Sequence, residues 1–274
     1  MKTLIPLFLI AFTASAQQTD KELKIPYGRG KGAAIKAAPA SGPVIVNAAS
    51  YLPGISPGGL VTIFGQDLSR VSGTVVANTN PLPFVLGNVS VTVNGRDAPL
   101  FSVAYVNGQD QISFQVPYKT ATGPNAAEVR VYDSNTLVAD IITDSFTEDP
   151  GIFIYNGNYA VAARGTDYSL IGPNNPAFPG EVIVLYTTGL GPLTLDLQDG
   201  YGAPSNPLAF TADPSQVVVN NQVCEVLFSG LGPGFVGLYQ INFIVPRNSP
   251  NGNLDIQILT TYGNSGIATL PVSR

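Results

Sequence analysis

One eight-residue pattern occurs twice in this sequence, and that repeat constrains the fold more than any other feature. Asp110-Gln111-Ile112-Ser113-Phe114-Gln115-Val116-Pro117 returns as Tyr239-Gln240-Ile241-Asn242-Phe243-Ile244-Val245-Pro246. In the first copy Ile112, Phe114 and Val116 alternate with Gln111, Ser113 and Gln115. A period of two predicts a strand with one face in a core and the other in water. The closing proline has no amide to give to a ladder, so it ends the strand. Two such strands predict two similar domains. Ile244 stands where the first copy has Gln115. An apolar residue on the outer face predicts that Ile244 is covered, by the 152–163 hairpin or by the other domain.

With 274 residues the chain is long enough for two cores of ordinary size. Charged residues are only 11% of it, and 29 glycines and 23 prolines punctuate apolar runs, the mixture of short strands joined by turns. The regular apolar patterning excludes a disordered chain. The absence of histidine excludes the Ser-His-Asp triad, the Cys-His dyad and histidine metal sites. A single cysteine, Cys224, allows no internal disulfide. Its apolar strand predicts a small buried core residue, with an intermolecular disulfide as the alternative.

The net charge of −5 is unevenly spread. Lys21, Lys24, Arg29, Lys31 and Lys36 face only Asp20 and Glu22 in their stretch, and the remainder is acidic. An acidic body argues against a nucleic-acid partner, which needs a cationic surface. The basic stretch reads as a solvated linker, with contact to an anionic envelope or polysaccharide as the alternative.

Lys2, the short apolar run 4–12 and Ala14-Ser15-Ala16 read as a secretory signal cleaved between Ala16 and Gln17. The run is too short to span a bilayer comfortably, and no later segment approaches a membrane-crossing helix. A secreted, periplasmic or cell-surface protein is therefore expected, with no integral membrane segment after signal removal. The predicted organisation is a signal peptide at 1–16, a flexible basic leader at 17–43, a first β-sandwich at 44–149 and a second at 150–274. The second opens with a hairpin around Asn156-Gly157. Strands are predicted at 60–64, 88–93, 100–105, 128–132, 137–142, 181–186, 217–219, 224–229, 254–259 and 267–272, with long loops at 66–83 and 191–214. No stretch shows a sustained helical period. The halves repeat their order: Pro57-Gly58 matches Pro179-Gly180, Leu68 matches Leu190, and Leu100-Phe101-Ser102 matches Leu227-Phe228-Ser229. Strands and turns so spaced predict an all-β chain of antiparallel sandwiches.

The order of proline-glycine, apolar strand, glycine, polar pair, leucine, a valine strand with Asn-Gly and a late Val-Pro resembles the immunoglobulin-like IPT/TIG fold. More specifically, the chain resembles the secreted bacterial family described as the Solibacter uncharacterised C-terminal domain. The segments that carry the resemblance include Val46-Asn47-Ala48-Ala49-Ser50-Tyr51, Ser56-Pro57-Gly58-Gly59, Pro150-Gly151-Ile152-Phe153, Thr188-Gly189-Leu190-Gly191-Pro192 and both copies of the repeat. They run through nearly everything after residue 43. The resemblance implies two tandem immunoglobulin-like (IPT/TIG-like) antiparallel β-sandwich domains. The family has no established catalytic residues to carry over.

Candidate chemistry is sparse. Gly232-Pro233-Gly234-Phe235-Val236-Gly237 satisfies GxGxxG, but a strand follows it where a dinucleotide fold needs a helix, so a glycine-rich loop is the reading. Asp196 and Asp199, or Glu148 and Asp149, could offer oxygens to calcium, yet neither run has the dense alternation of a calcium loop, and solvated acids are preferred. Many carboxylate pairs are conceivable for a glycosidase, and none is marked. Lys119 is the one lysine inside the expected sandwiches. Tyr155, Tyr159, Tyr168 and Tyr201 lie near turns or in loops and are the candidate surface contacts for a sugar or protein. The expectation is a module without catalytic residues, metal or cofactor that binds an extracellular protein or polysaccharide. A structural, assembly or export-recognition role in the envelope and a carbohydrate-binding module are the alternatives.

Overall fold

The computed structural model describes residues 42–274. The predicted signal, its Ala16-Gln17 cleavage site and residues 17–41 of the basic leader lie outside the described residues. Within them the chain is all β, with four sheets and no helix. Residues 44–145 make two of the sheets. One runs in the order Val44–Asn47, Leu60–Gly65, Gln109–Gln115, Leu100–Val106, Thr74–Val76. The other runs Thr136–Ser145, Gly123–Asp133, Val89–Val93, Val85–Leu86, with Arg96–Asp97 beside Val89–Val93. Residues 151–272 make the other two. Gly151–Ile152, Val182–Thr188, Tyr239–Ile244 and Glu225–Leu231 form one, with Ala162–Arg164 beside Val182–Thr188. The last contains Ile154–Tyr155, Tyr159–Ala160, Ala268–Val272, Gly252–Leu259, Gln216–Val219 and Gln222–Val223.

Each pair of sheets closes on its own apolar core. Ile63, Val91, Ile112, Phe114 and Val129 pack in the first half. Ile183, Ile241, Phe243, Ile256 and Leu270 pack in the second. Both copies of the repeat take the same central place, each between the two strands that flank it in its sheet. The predicted tight turns at Asn94-Gly95, Asn107-Gly108 and Asn156-Gly157 all place both residues at positive φ, the geometry that matches strand twist.

Backbone bonds fix the equivalence of the halves. The Gly58 amide donates to the Val116 carbonyl at 2.9 Å, and the Gly180 amide to the Val245 carbonyl at 2.8 Å. Leu68 and Leu190 are both buried. The third match is corrected by the ladder. Leu100 lies opposite Phe114, and Val226 lies opposite the equivalent Phe243, so Val226-Leu227-Phe228 is the counterpart of Leu100-Phe101-Ser102. A slip of one residue exchanges the two faces of a strand. Leu100 is accordingly fully buried while Leu227 is 50% exposed.

Three further expectations change. Thr74–Val76 is a short strand within the predicted 66–83 loop. The hairpin around Asn156-Gly157 forms, but both of its arms cross between sheets: Gly151–Ile152 and Ala162–Arg164 pair with Val182–Thr188, whereas Ile154–Tyr155 and Tyr159–Ala160 belong to the opposite sheet. The outer face of the first repeat is also not in water. Ser113 is buried with its hydroxyl 2.9 Å from that of Thr62, and Gln115 is fully buried. Ile244, its apolar counterpart, is half-buried between Val182 and Glu225 in the ladder.

Candidate functional site

Gln115 is buried because the second half lies on it. The Gly200 amide donates to its Oε1 at 2.8 Å. The predicted 191–214 loop crosses to the first half at further points. The Tyr118 amide donates to Asp199 Oδ1 at 2.7 Å, the Leu82 amide to the Gly200 carbonyl at 2.8 Å, and the Gly202 amide to Asn80 Oδ1 at 3.0 Å. Nearer the axis of the junction the Leu60 amide donates to Thr188 Oγ1 at 2.8 Å. A third buried cluster joins the halves there, with Ala49 and Leu60 packed with Phe153, Val184, Tyr186 and Leu238.

The connecting segment is pinned as well. Asn47 Nδ2 donates to the Asp149 carbonyl at 2.7 Å and to its Oδ2 at 3.1 Å. Asn47 Oδ1 accepts the amides of Ala49 and Ser50. Desolvation pushes the Asp149 carboxyl up to about 6, against the opposing pull of the Asn47 hydrogen bond. Gly189 permits the close approach here. It has φ +75°, and a Cβ would meet the Asp149 carbonyl oxygen. Glu148 is buried and its Oε2 accepts the Tyr262 amide at 2.7 Å. Glu148 is thus not the solvated acid expected from sequence; it ties the 260–264 turn to the junction.

These contacts leave an open groove along the junction. One part, about 450 Å³, is lined by Pro57, Tyr118 and Lys119 of the first half and by Leu193, Leu195 and Leu197 of the second, and Tyr118 packs with those leucines against the second core. The next, about 380 Å³, is bordered by Pro124, Ser145, Phe146, Glu148 and Tyr262. Thr122 and Thr147 line both, so the two are continuous. Each is of the size of ordinary ligand clefts, roughly 300–1,000 Å³. Lys119 and Asp196 pair across the first at 3.6 Å, both largely exposed. Tyr118 Oη and Gln115 Nε2 are buried beside each other in the junction, close enough to interact but without a hydrogen bond of ordinary geometry. Burial raises the Tyr118 phenol well above its ordinary range, so it stays protonated and a donor.

The four tyrosines singled out from sequence do not line this groove. Tyr155 and Tyr159 come together, ring centroids 6.1 Å apart, with Tyr155 Oη donating to the Ile171 carbonyl at 2.6 Å. Tyr168 and Tyr201 stand separately exposed in loops. The four therefore do not make one platform. Phe146 and Tyr262, exposed in the groove, had no distinguishing signal in the sequence; only the junction brings residues so far apart in the chain together. Asp196 and Asp199 are separately engaged, with Lys119 and with the Tyr118 amide. Among the described residues no three acidic or cysteine side chains converge as a metal site. Cys224 is free and buried, its thiol pushed up to about 11 by burial. The Gly232–Gly237 run is a loop between Glu225–Leu231 and Tyr239–Ile244.

Fold and groove together define an antiparallel β-sandwich protein with a ligand-sized cleft where its halves meet. No family model and no curated protein matches the chain. Among solved structures it is similar to Bacteroides ovatus mixed-linkage glucan utilization locus SGBP-B in complex with a mixed-linkage heptasaccharide, at 11% identity over 80% of this chain and 43% of that one, with a TM-score of 0.32. It is similar also to domains 5-6 of the S-layer protein SbsC, at 9% identity over 80% and 91%, TM-score 0.24. A further similarity is to the Yersinia pseudotuberculosis adhesin InvE, at 12% identity over 83% and 58%, TM-score 0.21. The chain spans less than half the length of the first of these. Likeness this distant decides neither ligand nor activity. No helix among the described residues is long and apolar enough to cross a membrane.

Proposed function

We propose that this chain is a secreted or cell-surface, non-catalytic interaction module of two tandem immunoglobulin-like units, and that it holds a cell-surface or extracellular-matrix partner in the junction groove. The observation that carries the reading is the groove itself, walled by both halves and held open by buried contacts between them. A cleft between rigid bodies binds without spending affinity on ordering its walls. The polar groups near it support binding over catalysis: Glu148 is committed to the Tyr262 amide, Asp199 to the Tyr118 amide, and Lys119 pairs in solvent with Asp196. Export and membership of the Solibacter-type family rest on the N-terminal pattern and the repeated motifs.

The test is retention of the full chain on its own cell envelope and on its extracellular polysaccharide. Thr122 is exposed and lines both parts of the groove, so Thr122→Arg fills it without touching a core. The variant is expected to lose at least tenfold in retention with an unchanged melting temperature. Retention from neither fraction by the unaltered chain would sink the proposal.

A second reading, assembly of copies into an envelope structure, is favoured by the Thr136–Ser145 strand. It lies at a sheet edge and exposes Leu137 and Ile142. Unpaired edges recruit strands. Sedimentation over a concentration series decides it: a monomer throughout excludes this reading.

A further inference from the structure

We propose that the groove takes a linear, uncharged polysaccharide, stacked on Phe146 and Tyr262. This rests on the groove being the binding face. Phe146 is 42% exposed and Tyr262 is 64% exposed, and both border the same part of it. Large rings left open in one concave place mark a contact surface, whereas scattered exposed residues do not. Their backbones are fixed. The Phe146 amide donates to the Ile55 carbonyl at 2.8 Å and the Tyr262 amide to buried Glu148. The Phe146 ring lies against Gly54, at φ +118°, where a Cβ would meet its Cε2. The rings are thus presented on a rigid frame before any ligand arrives, which lowers the entropy cost of binding.

The surroundings select the ligand class. A pyranose ring has apolar C–H faces, which suit aromatic faces, and a rim of hydroxyls. The groove offers the matching rim: Thr122 and Thr147 lie where its two parts meet and Asp144 borders it, while behind this rim Ser145 keeps a buried hydroxyl with no partner among the described residues. Unmet buried polar groups are the kind that water or a ligand completes. Charge excludes a polyanion. Residues 42–274 hold 7 basic and 16 acidic residues, a net charge of −9, and Asp144 and Glu148 border the aromatic part. Continuity of the two parts through Thr122 and Thr147 provides length for a chain of sugars rather than one ring.

Affinity electrophoresis of the full chain through soluble β-glucan, xylan and galactomannan, with polygalacturonate and poly-L-proline as competing chemistries, tests this. Retardation by at least one neutral polysaccharide is expected. Tyr262→Ala and Phe146→Ala should each weaken it tenfold or more, and Tyr168→Ala should leave it unchanged. Tyr262 carries the decision if the Phe146 variant loses fold, because most of its side chain is in solvent. No retardation by any of the three, undiminished retardation of Tyr262→Ala, or preference for polygalacturonate or poly-L-proline each overturns the proposal. If glycans fail while Thr122→Arg still abolishes envelope retention, the groove remains the binding face and only the ligand class is wrong. If envelope retention is also absent, the functional reading fails with it.

Discussion

Asp149 shows how one side chain can carry the state of the junction. Its carboxyl is pushed up to about 6 by burial, above the ordinary 3.8 that an unfolded chain would show. Between those values the folded protein binds a proton that the unfolded chain does not. Stability contributed by this group therefore rises as pH falls from about 6 to about 4, the reverse of a salt-bridged carboxylate. Asp149→Asn removes the ionisation. The variant is expected to gain stability relative to the unaltered protein at pH 7, and the gain should vanish near pH 4. Urea unfolding of both proteins at several pH values measures it; a gain independent of pH contradicts the assignment. Nothing in the order Glu148-Asp149-Pro150-Gly151 distinguishes these acids from solvated loop residues. Their burial comes from Asn47, Gly189 and the 260–264 turn, all remote in sequence.

At the scale of elements, the two copies of the repeat do the same work with different chemistry. Asp110 accepts the Leu68 amide at 2.9 Å and the Ser69 hydroxyl at 2.7 Å, holding the loop after its neighbouring strand. Its counterpart Tyr239 holds the equivalent loop by donating to the Gly191 carbonyl at 2.7 Å. The Gln115 and Ile244 pair runs against intuition, since the polar residue is sealed and the apolar one lies half open. Alternation alone reads one face of each strand as wet, because it has no knowledge of what lies across that face. Gln115→Ile, which copies the second repeat into the first, strips the Gly200 amide of its acceptor. It should cost about 1–3 kcal/mol, the penalty for a buried unmet group. Ile244→Gln should cost less. Denaturant midpoints for the two variants compare them directly, and equal losses would show that Gln115 does not hold the loop. The same blindness explains the one-residue slip at Leu227. The motif Leu-Phe-Ser matched by letter, whereas the ladder aligned Val226 with Leu100.

For the molecule as a whole, the shared cluster around Leu60 links the stability of the halves. Leu60 is fully buried, and its amide is held by Thr188 of the other half. Gly237 packs so closely that a Cβ would meet the Leu60 side chain. The described chain is expected to melt as one cooperative unit. Leu60→Ala should cost about 2–5 kcal/mol, as large cavities in cores do, and should split the calorimetric transition in two. A single undivided transition in the variant would mean that the halves are joined elsewhere. The groove exists only at this scale. Tyr118, Phe146, Leu195 and Tyr262 share nothing in sequence, and the tyrosines that stood out near turns lie outside the cleft.

What the sequence determined by itself is local and periodic: the strands, the Asn-Gly turns, the proline stops, the duplicated order and the two apolar cores. Those follow from backbone geometry and side-chain alternation, which act over a few residues. Only the tertiary structure decided which outer faces are covered, which acids are buried, which aromatics meet and where a cleft opens. These depend on how one half lies against the other through Gln115, Leu60, Asp149 and Thr188. That packing joins residues far apart along the chain, and no local pattern encodes it.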